Sequence, residues 1–351
     1  MSDKIVDKIR NENYLLKIFK HTSRTAYINI ARNIIEFIKE IYRHIEPSHF
    51  NGQIVVFYDF SDSIDFIPDK KEEFYDKGAL NTHHGNIIFK IRNEDELPLY
   101  WYNCRDSDVT ELLSTSENFI AYVFEDKKEK FIVNQKKIII RNQFSCPSIF
   151  ALQYHYLNEA LSAYKNKRIK NVSCEHFKRC WYDEKRIYFK NKPEKTIQKS
   201  LKEFIISRVR GVKVNREFNL NASKPVDVRV YWREANRTAL IELKWLGQSL
   251  KKDGSIGTLY SNCRANQGMK QIKEYIDLNS ADNPVTIAKG YLIVIDARRK
   301  NVKSTKVSTI SRENGFFYAG KELIIDENIQ YWKSIPNIAK PIRMFVEPIC
   351  E

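Results

Sequence analysis

No apolar run in this 351-residue chain approaches the ~20 residues that cross a bilayer. The longest, such as Lys137-Ile-Ile-Ile-Arg141 and Tyr291-Leu-Ile-Val-Ile-Asp296, are strand-sized. The first ten residues alternate charges with apolar side chains and lack the continuous apolar stretch of a secretory signal, so a cytoplasmic protein with no membrane partner is expected. Six cysteines follow no repeated spacing, which argues against a disulfide framework in a chain this long. Internal repeats and low-complexity linkers are missing, as are G-x-S-x-G and H-E-x-x-H, so hydrolase chemistry outside phosphodiesters has little support.

Three partial motifs lack an essential part. Cys174-Glu-His176-Phe-Lys-Arg-Cys180 offers three zinc-type ligands but no second half, and a helical segment with buried thiols is the plainer reading. His83-His84 would point to opposite faces of a strand, which favours a loop over a metal pair. Gly315-Phe-Phe-Tyr-Ala-Gly-Lys321 satisfies GxxxxGK, but Glu322 stands where Ser or Thr would touch magnesium, three aromatics fill the cradle, and Glu322-Leu-Ile-Ile325 reads as a strand.

What the chain does have is positive charge, unevenly spread. Against 59 Lys and Arg stand 44 Asp and Glu, a net of +15, and the 42% hydrophobic content suffices for a core. Residues 1–190 carry 30 basic and 27 acidic groups, a net of +3, whereas residues 191–351 carry 29 and 17, a net of +12. A positive field on one part of the chain favours a polyanion, nucleic acid above all. A dense acidic stretch runs from Asp59 to Asp76; it reads as a solvated loop or as a segment that restrains the basic part.

The length suggests two domains, divided in the polar stretch between Lys165 and Lys192: residues 1–180 and residues 181–351. In the first, helices are expected over Lys4–Phe19 and Thr25–His44, then strands over Gln53–Tyr58, Asn86–Lys90, Phe119–Phe124 and Lys137–Arg141, then a helix over Pro147–Asn166, an α+β domain. In the second, Pro193 and Glu194 open a helix with apolar positions at Ile197, Leu201, Phe204 and Ile205. Strands follow over Val212–Leu220, Pro225–Trp232 and Arg237–Trp245, a helix over Ser261–Leu278, and an apolar strand over Gly290–Asp296.

The two central strands carry the chemistry. Val226, Val228 and Val230 alternate with Asp227, Arg229 and Tyr231, while Ile241, Leu243 and Trp245 alternate with Glu242 and Lys244. A four-residue loop centred between Glu234 and Ala235 puts Asp227 across from Glu242. Two carboxylates so placed repel one another unless a cation lies between them, and an all-oxygen pair suits Mg²⁺. Lys244, on the same face, can hold an attacking water or steady charge on a phosphate.

Asp227 followed by Glu242-Leu243-Lys244 resembles the PD-(D/E)XK nuclease superfamily, with Pro225-Val226-Asp227 in place of an adjacent Pro-Asp. The order helix, strand, Asp/ExK hairpin, helix, strand over residues 193–300 is similar to that family's αβββαβ core, a restriction-endonuclease-like α/β fold with a mixed sheet. The resemblance implies that Asp227, Glu242 and the Leu243 carbonyl hold Mg²⁺, for which Mn²⁺ substitutes, that Lys244 supports hydrolysis, and that Glu194 is an additional metal ligand. Glu194 reads equally well as a carboxylate favoured at a helix N-terminus, and Gln198 and Glu203 are weaker candidates.

Gln267, Gln271 and Tyr275 recur every four residues opposite Met269, Ile272 and Ile276, and resemble the family's RecB-like branch, in which such residues contact nucleic acid or order the site. Arg264, Arg298 and Arg299 are further candidates for phosphates, and Lys251-Lys252-Asp253-Gly254 for a mobile loop over substrate. The resemblance thus implies a Mg²⁺-dependent nuclease, with DNA favoured over RNA, in a restriction or anti-phage defence effector. A nucleic-acid-binding module without catalysis is the reading of a different class. The first domain is expected to sense, target, or bind a protein partner or a second copy of the chain.

Overall fold

The computed structural model describes the chain apart from residues 1–13, 23, 46, 48–49, 62–70, 73–79, 81–84, 93–96, 115–117, 127, 141–152, 221–224, 234, 284–285 and 303–306. His83 and His84 lie outside the described residues, as do most of the Asp59–Asp76 stretch and of the expected first helix. Among the described residues, no helix is long and apolar enough to cross a membrane.

Backbone contacts divide the chain into two compact units, Met1–Leu152 and Gln153–Glu351. The division falls earlier than the sequence suggests, because the helix Gln153–Tyr164 belongs to the second unit. Its Leu157, Leu161 and Tyr164 are fully buried in that unit's core with Ile197, Leu201 and Ile205.

In the first unit, helix α1 (Thr25–His44) has the expected ends and buries Ile34, Ile35, Ile38 and Ile41. They pack on a seven-stranded mixed sheet of β1 (Ile54–Asp59), β2 (Lys71–Glu72), β3 (Asn86–Lys90), β4 (Leu99–Cys104), β5 (Phe119–Glu125), β6 (Lys128–Val133) and β7 (Lys136–Ile140). Its order is β2-β4-β3-β1-β5-β6-β7, with β1 and β3 parallel and the other pairs antiparallel. A short helix α2 (Asp106–Ser114) lies between β4 and β5 in the chain.

The second unit begins with α3 (Gln153–Tyr164), a one-turn α4 (Glu175–Lys178), the short β8 (Phe189–Lys190) and α5 (Glu194–Arg208). There follow β9 (Lys213–Asn219), β10 (Pro225–Trp232), the 14-residue β11 (Arg237–Leu250), β12 (Ile256–Tyr260), α6 (Asn262–Asp282), β13 (Ile287–Ala297), α7 (Arg312–Phe316) and β14 (Ile342–Phe345). The sheet runs β14-β13-β11-β10-β9, antiparallel through β9, β10 and β11 and parallel through β11, β13 and β14.

A parallel step between strands needs a crossover, and α6 supplies it between β11 and β13. One sheet face, with Ile241, Leu243, Trp245 and Ile293, meets α3 and α5. The other, with Leu240, Leu246, Leu292 and Val294, meets Met269, Ile272 and Ile276 of α6. Strand β11 stays with β13 as far as Leu246, then departs at Gly247 to pair with β12. Gly247 has φ +129°, and a Cβ there would stand 2.7 Å from the carbonyl oxygen of Ala297, so only glycine fits this departure. The Lys251–Gly254 segment is the turn between β11 and β12, where the Lys251 N–H donates to the Ser255 carbonyl at 2.9 Å and the Gly254 N–H to the Lys251 carbonyl at 3.0 Å. Glu322–Ile325, expected as a strand, has no regular structure.

Candidate active site

The β10–β11 hairpin has the register its alternation demands. Val228 faces Ile241 and Trp232 faces Arg237, so Asp227 and Glu242 stand opposite each other one step beyond the last paired residues. Because the ladder ends there, the N–H of Leu243 is free to bond a side chain, and it donates to Asp227 Oδ2 at 2.7 Å. The N–H and C=O of one strand residue point to the same edge, so the Leu243 carbonyl lies on the Asp227 side of β11. Alternation sends Ile241 and Leu243 into the apolar core and turns Glu242 and Lys244 toward α6.

Glu242 is only 3% exposed. Its Oε1 meets Lys244 Nζ at 2.5 Å, and its Oε2 accepts from the Tyr275 hydroxyl at 3.1 Å. Burial first, then the charge of Asp227, pushes the Glu242 carboxyl up to about 7 in spite of Lys244 and Tyr275. Asp227 is also raised by burial, against the opposing Leu243 N–H, Lys244 and Gln198. The pair therefore lacks positive charge even with Lys244 beside it. An all-oxygen donor set of two carboxylates and a main-chain carbonyl fits Mg²⁺ or Mn²⁺.

These groups line a cleft of about 440 Å³, together with Glu194, Arg264, Gln271 and Glu274. Glu194 opens α5 and pairs with the Arg264 guanidinium, which lies 4.0 Å from the centre of the Tyr260 ring. Glu194 lines the same cleft as Asp227 and Glu242, and its charge adds to the raising of Asp227.

The expected row on α6 splits. Gln271 reaches the cleft, whereas Gln267 is exposed and outside its lining. Tyr275 is buried at 2% exposure, and its hydroxyl bonds Glu242 Oε2 and the Pro225 carbonyl. Arg298 and Arg299 are corrections: they are 8% and 3% exposed, held inside by groups the sequence leaves unmatched. Arg298 donates twice to buried Asp296, which Arg343 also meets at 2.7 Å, and to Asn262 Oδ1. Although burial opposes it, these guanidiniums hold Asp296 below the usual carboxylate range. Arg299 donates to the carbonyls of Arg186 and Val346.

Cys180 bonds main-chain carbonyls, and His176 pairs with Glu203 at 3.0 Å, which removes Glu203 from the cleft. Two residues deserve more weight than their sequence gives them. Gln198 donates to Asp227 Oδ1 at 2.7 Å, and its position one turn after Glu194 was the available signal. Glu274 lines the cleft beside Tyr275. Compared with protein-family models, curated proteins and solved structures, the chain matches none.

Proposed function

We propose that the second unit is a Mg²⁺-dependent nuclease that hydrolyses phosphodiester bonds, with DNA the favoured substrate. The observation that carries this reading is the Asp227–Glu242 juxtaposition, in which a buried carboxylate is held up to about 7 beside a second one, with Lys244 2.5 Å away. The order α5-β9-β10-β11-β12-α6-β13, with β12 added to the end of β11, supports the restriction-endonuclease-like core that the PD-(D/E)XK resemblance implies.

Asp227, Glu242 and the Leu243 carbonyl would hold the ion. When bound, it supplies Lewis acidity to a phosphoryl oxygen and activates an attacking water. The protein's own groups do the rest. Tyr275 fixes the Glu242 carboxylate through Oε2, and the Leu243 N–H fixes Asp227. Lys244 offers an ammonium to the charge that develops on the phosphate, from a site only 12% exposed where water screens it little. Arg264, at the cleft margin, is suited to a neighbouring phosphate. The resemblance also implies a restriction or anti-phage role, with control seated in the first unit.

The deciding experiment incubates the protein with supercoiled, linear and single-stranded DNA and with RNA, each with Mg²⁺, Mn²⁺ or chelator. Metal-dependent cleavage is expected; no cleavage of any substrate with either metal sinks the nuclease reading. Binding without cleavage and without need of a divalent ion would mark a pure binding module.

A further inference from the structure

We infer that α5 serves the metal site through Gln198, as a positioning residue, and not through Glu194. The inference rests on the nuclease reading above. Gln198 is 3% exposed, and its Nε2 donates to Asp227 Oδ1 at 2.7 Å while the Leu243 N–H takes Oδ2 at the same distance. The Asp227 carboxylate is therefore clamped through both oxygens. An ionised carboxylate only accepts, so the amide must turn its NH₂ toward Asp227 and its Oε1 away. That Oε1 is buried with no hydrogen-bond partner among the described residues. A buried acceptor left unmatched costs stability that an apolar side chain of the same shape would spare. The amide thus gives the fold less than a hydrocarbon would and gives Asp227 what a hydrocarbon cannot.

Glu194 stands otherwise. Its carboxylate lines the same cleft and its charge reaches Asp227, but it is paired with Arg264, which is itself stacked on Tyr260. The site so built has two carboxylates facing one position, the charge for a single divalent ion beside Lys244. Helix α5 contributes orientation to that site, in the way outer-shell hydrogen bonds orient the ligands of other metal centres.

The test measures Mn²⁺ binding to the full chain without substrate, by calorimetry, alongside thermal melting. One ion per chain is expected for the parent. Gln198→Leu should weaken binding by about 10- to 100-fold with a Tm no lower than the parent's; Gln198→Met repeats the test if the leucine variant does not fold. Glu194→Gln should bind Mn²⁺ nearly as the parent does. Ser200→Ala is the control for structure alone: Ser200 is buried on the same helix and accepts from the Tyr164 hydroxyl at 2.9 Å, so its loss should lower Tm and leave Mn²⁺ affinity unmoved. Unchanged affinity in Gln198→Leu, or a loss in Glu194→Gln as large as that in Gln198→Leu, overturns the inference. If binding is lost in Asp227→Asn yet unmoved in Gln198→Leu, only the role of Gln198 falls. A parent that binds no Mn²⁺ removes the metal site itself.

Discussion

Lys244 is a residue whose loss should separate chemistry from folding. Its ammonium is the nearest positive charge to Glu242, and its removal takes away stabilisation of the developing phosphate charge. Lys244→Ala should lower the cleavage rate by about 10²- to 10³-fold, measured at saturating Mg²⁺, and a variant that cuts like the parent would exclude the assigned role. Glu242 makes a second prediction at this scale. Its folded-state value of about 7 lies above the ordinary 4.5. Between those values the native protein keeps a proton that the unfolded chain has released, so the stability of the metal-free protein should fall as pH rises through this window. Metal binding needs the carboxylate ionised, so the Mg²⁺-induced rise in Tm should be larger at pH 8 than at pH 6. Equal shifts at the two pH values would show that Glu242 does not meet the ion.

At the scale of elements, the contact of α6 with the sheet sets where Lys244 can lie. A Cβ on Gly268 would stand 2.6 Å from Leu292 Cδ1 and 2.9 Å from Lys244 Cγ. Gly268→Ala gains helix propensity, about 1 kcal/mol, but overpacks the contact at a cost of about 1–3 kcal/mol. The net is a loss of about 0–2 kcal/mol, which should lower Tm by no more than about 8 °C. Cleavage should fall by about 10- to 100-fold, since a displacement near 1 Å at a reacting group has that effect. Undiminished cleavage in a normally folded Gly268→Ala protein would show that the lysine tolerates displacement.

The sequence carries some elements well and others poorly. The alternation through Val226–Val230 and Ile241–Trp245, with the loop between them, sufficed to place Asp227 against Glu242, because a one-residue slip would have turned every side chain to the wrong face. Strands β4, β6, β12 and β14 went unread, since Leu-Tyr-Trp-Tyr-Asn-Cys or Ile-Gly-Thr-Leu-Tyr has no clean period of two and owes its conformation to neighbours far along the chain. Arg298 and Arg299 looked solvated for a related reason: Asp296 is a near neighbour in sequence, but Arg343, which completes its ion pairs, and the carbonyl of Val346 are brought in by the pairing of β13 with β14.

For the whole molecule, the division at Leu152 makes fragment boundaries decisive. A fragment spanning Gln153–Glu351 retains α3 and its buried Leu157, Leu161 and Tyr164, and it should be soluble, unfold cooperatively and keep metal-dependent cleavage. A fragment starting at residue 181, the boundary the polar composition suggests, loses those side chains and uncovers Leu201 and Ile205 of α5. It should aggregate or melt far below the longer one. If the shorter fragment melts like the longer, α3 is no part of the second unit's core.

The buried arginines also bear on what a polyanion meets. Arg237, Arg298 and Arg299 belong to the 29 basic groups of residues 191–351 but are at most 8% exposed, their guanidiniums turned to carbonyls and to Asp296. Charges locked inside hold few counterions to release. The number of ions a nucleic acid displaces on binding should therefore be set by the solvent-facing lysines and by exposed arginines such as Arg208, Arg210 and Arg216, so that the dependence of affinity on salt is shallower than a formal +12 suggests.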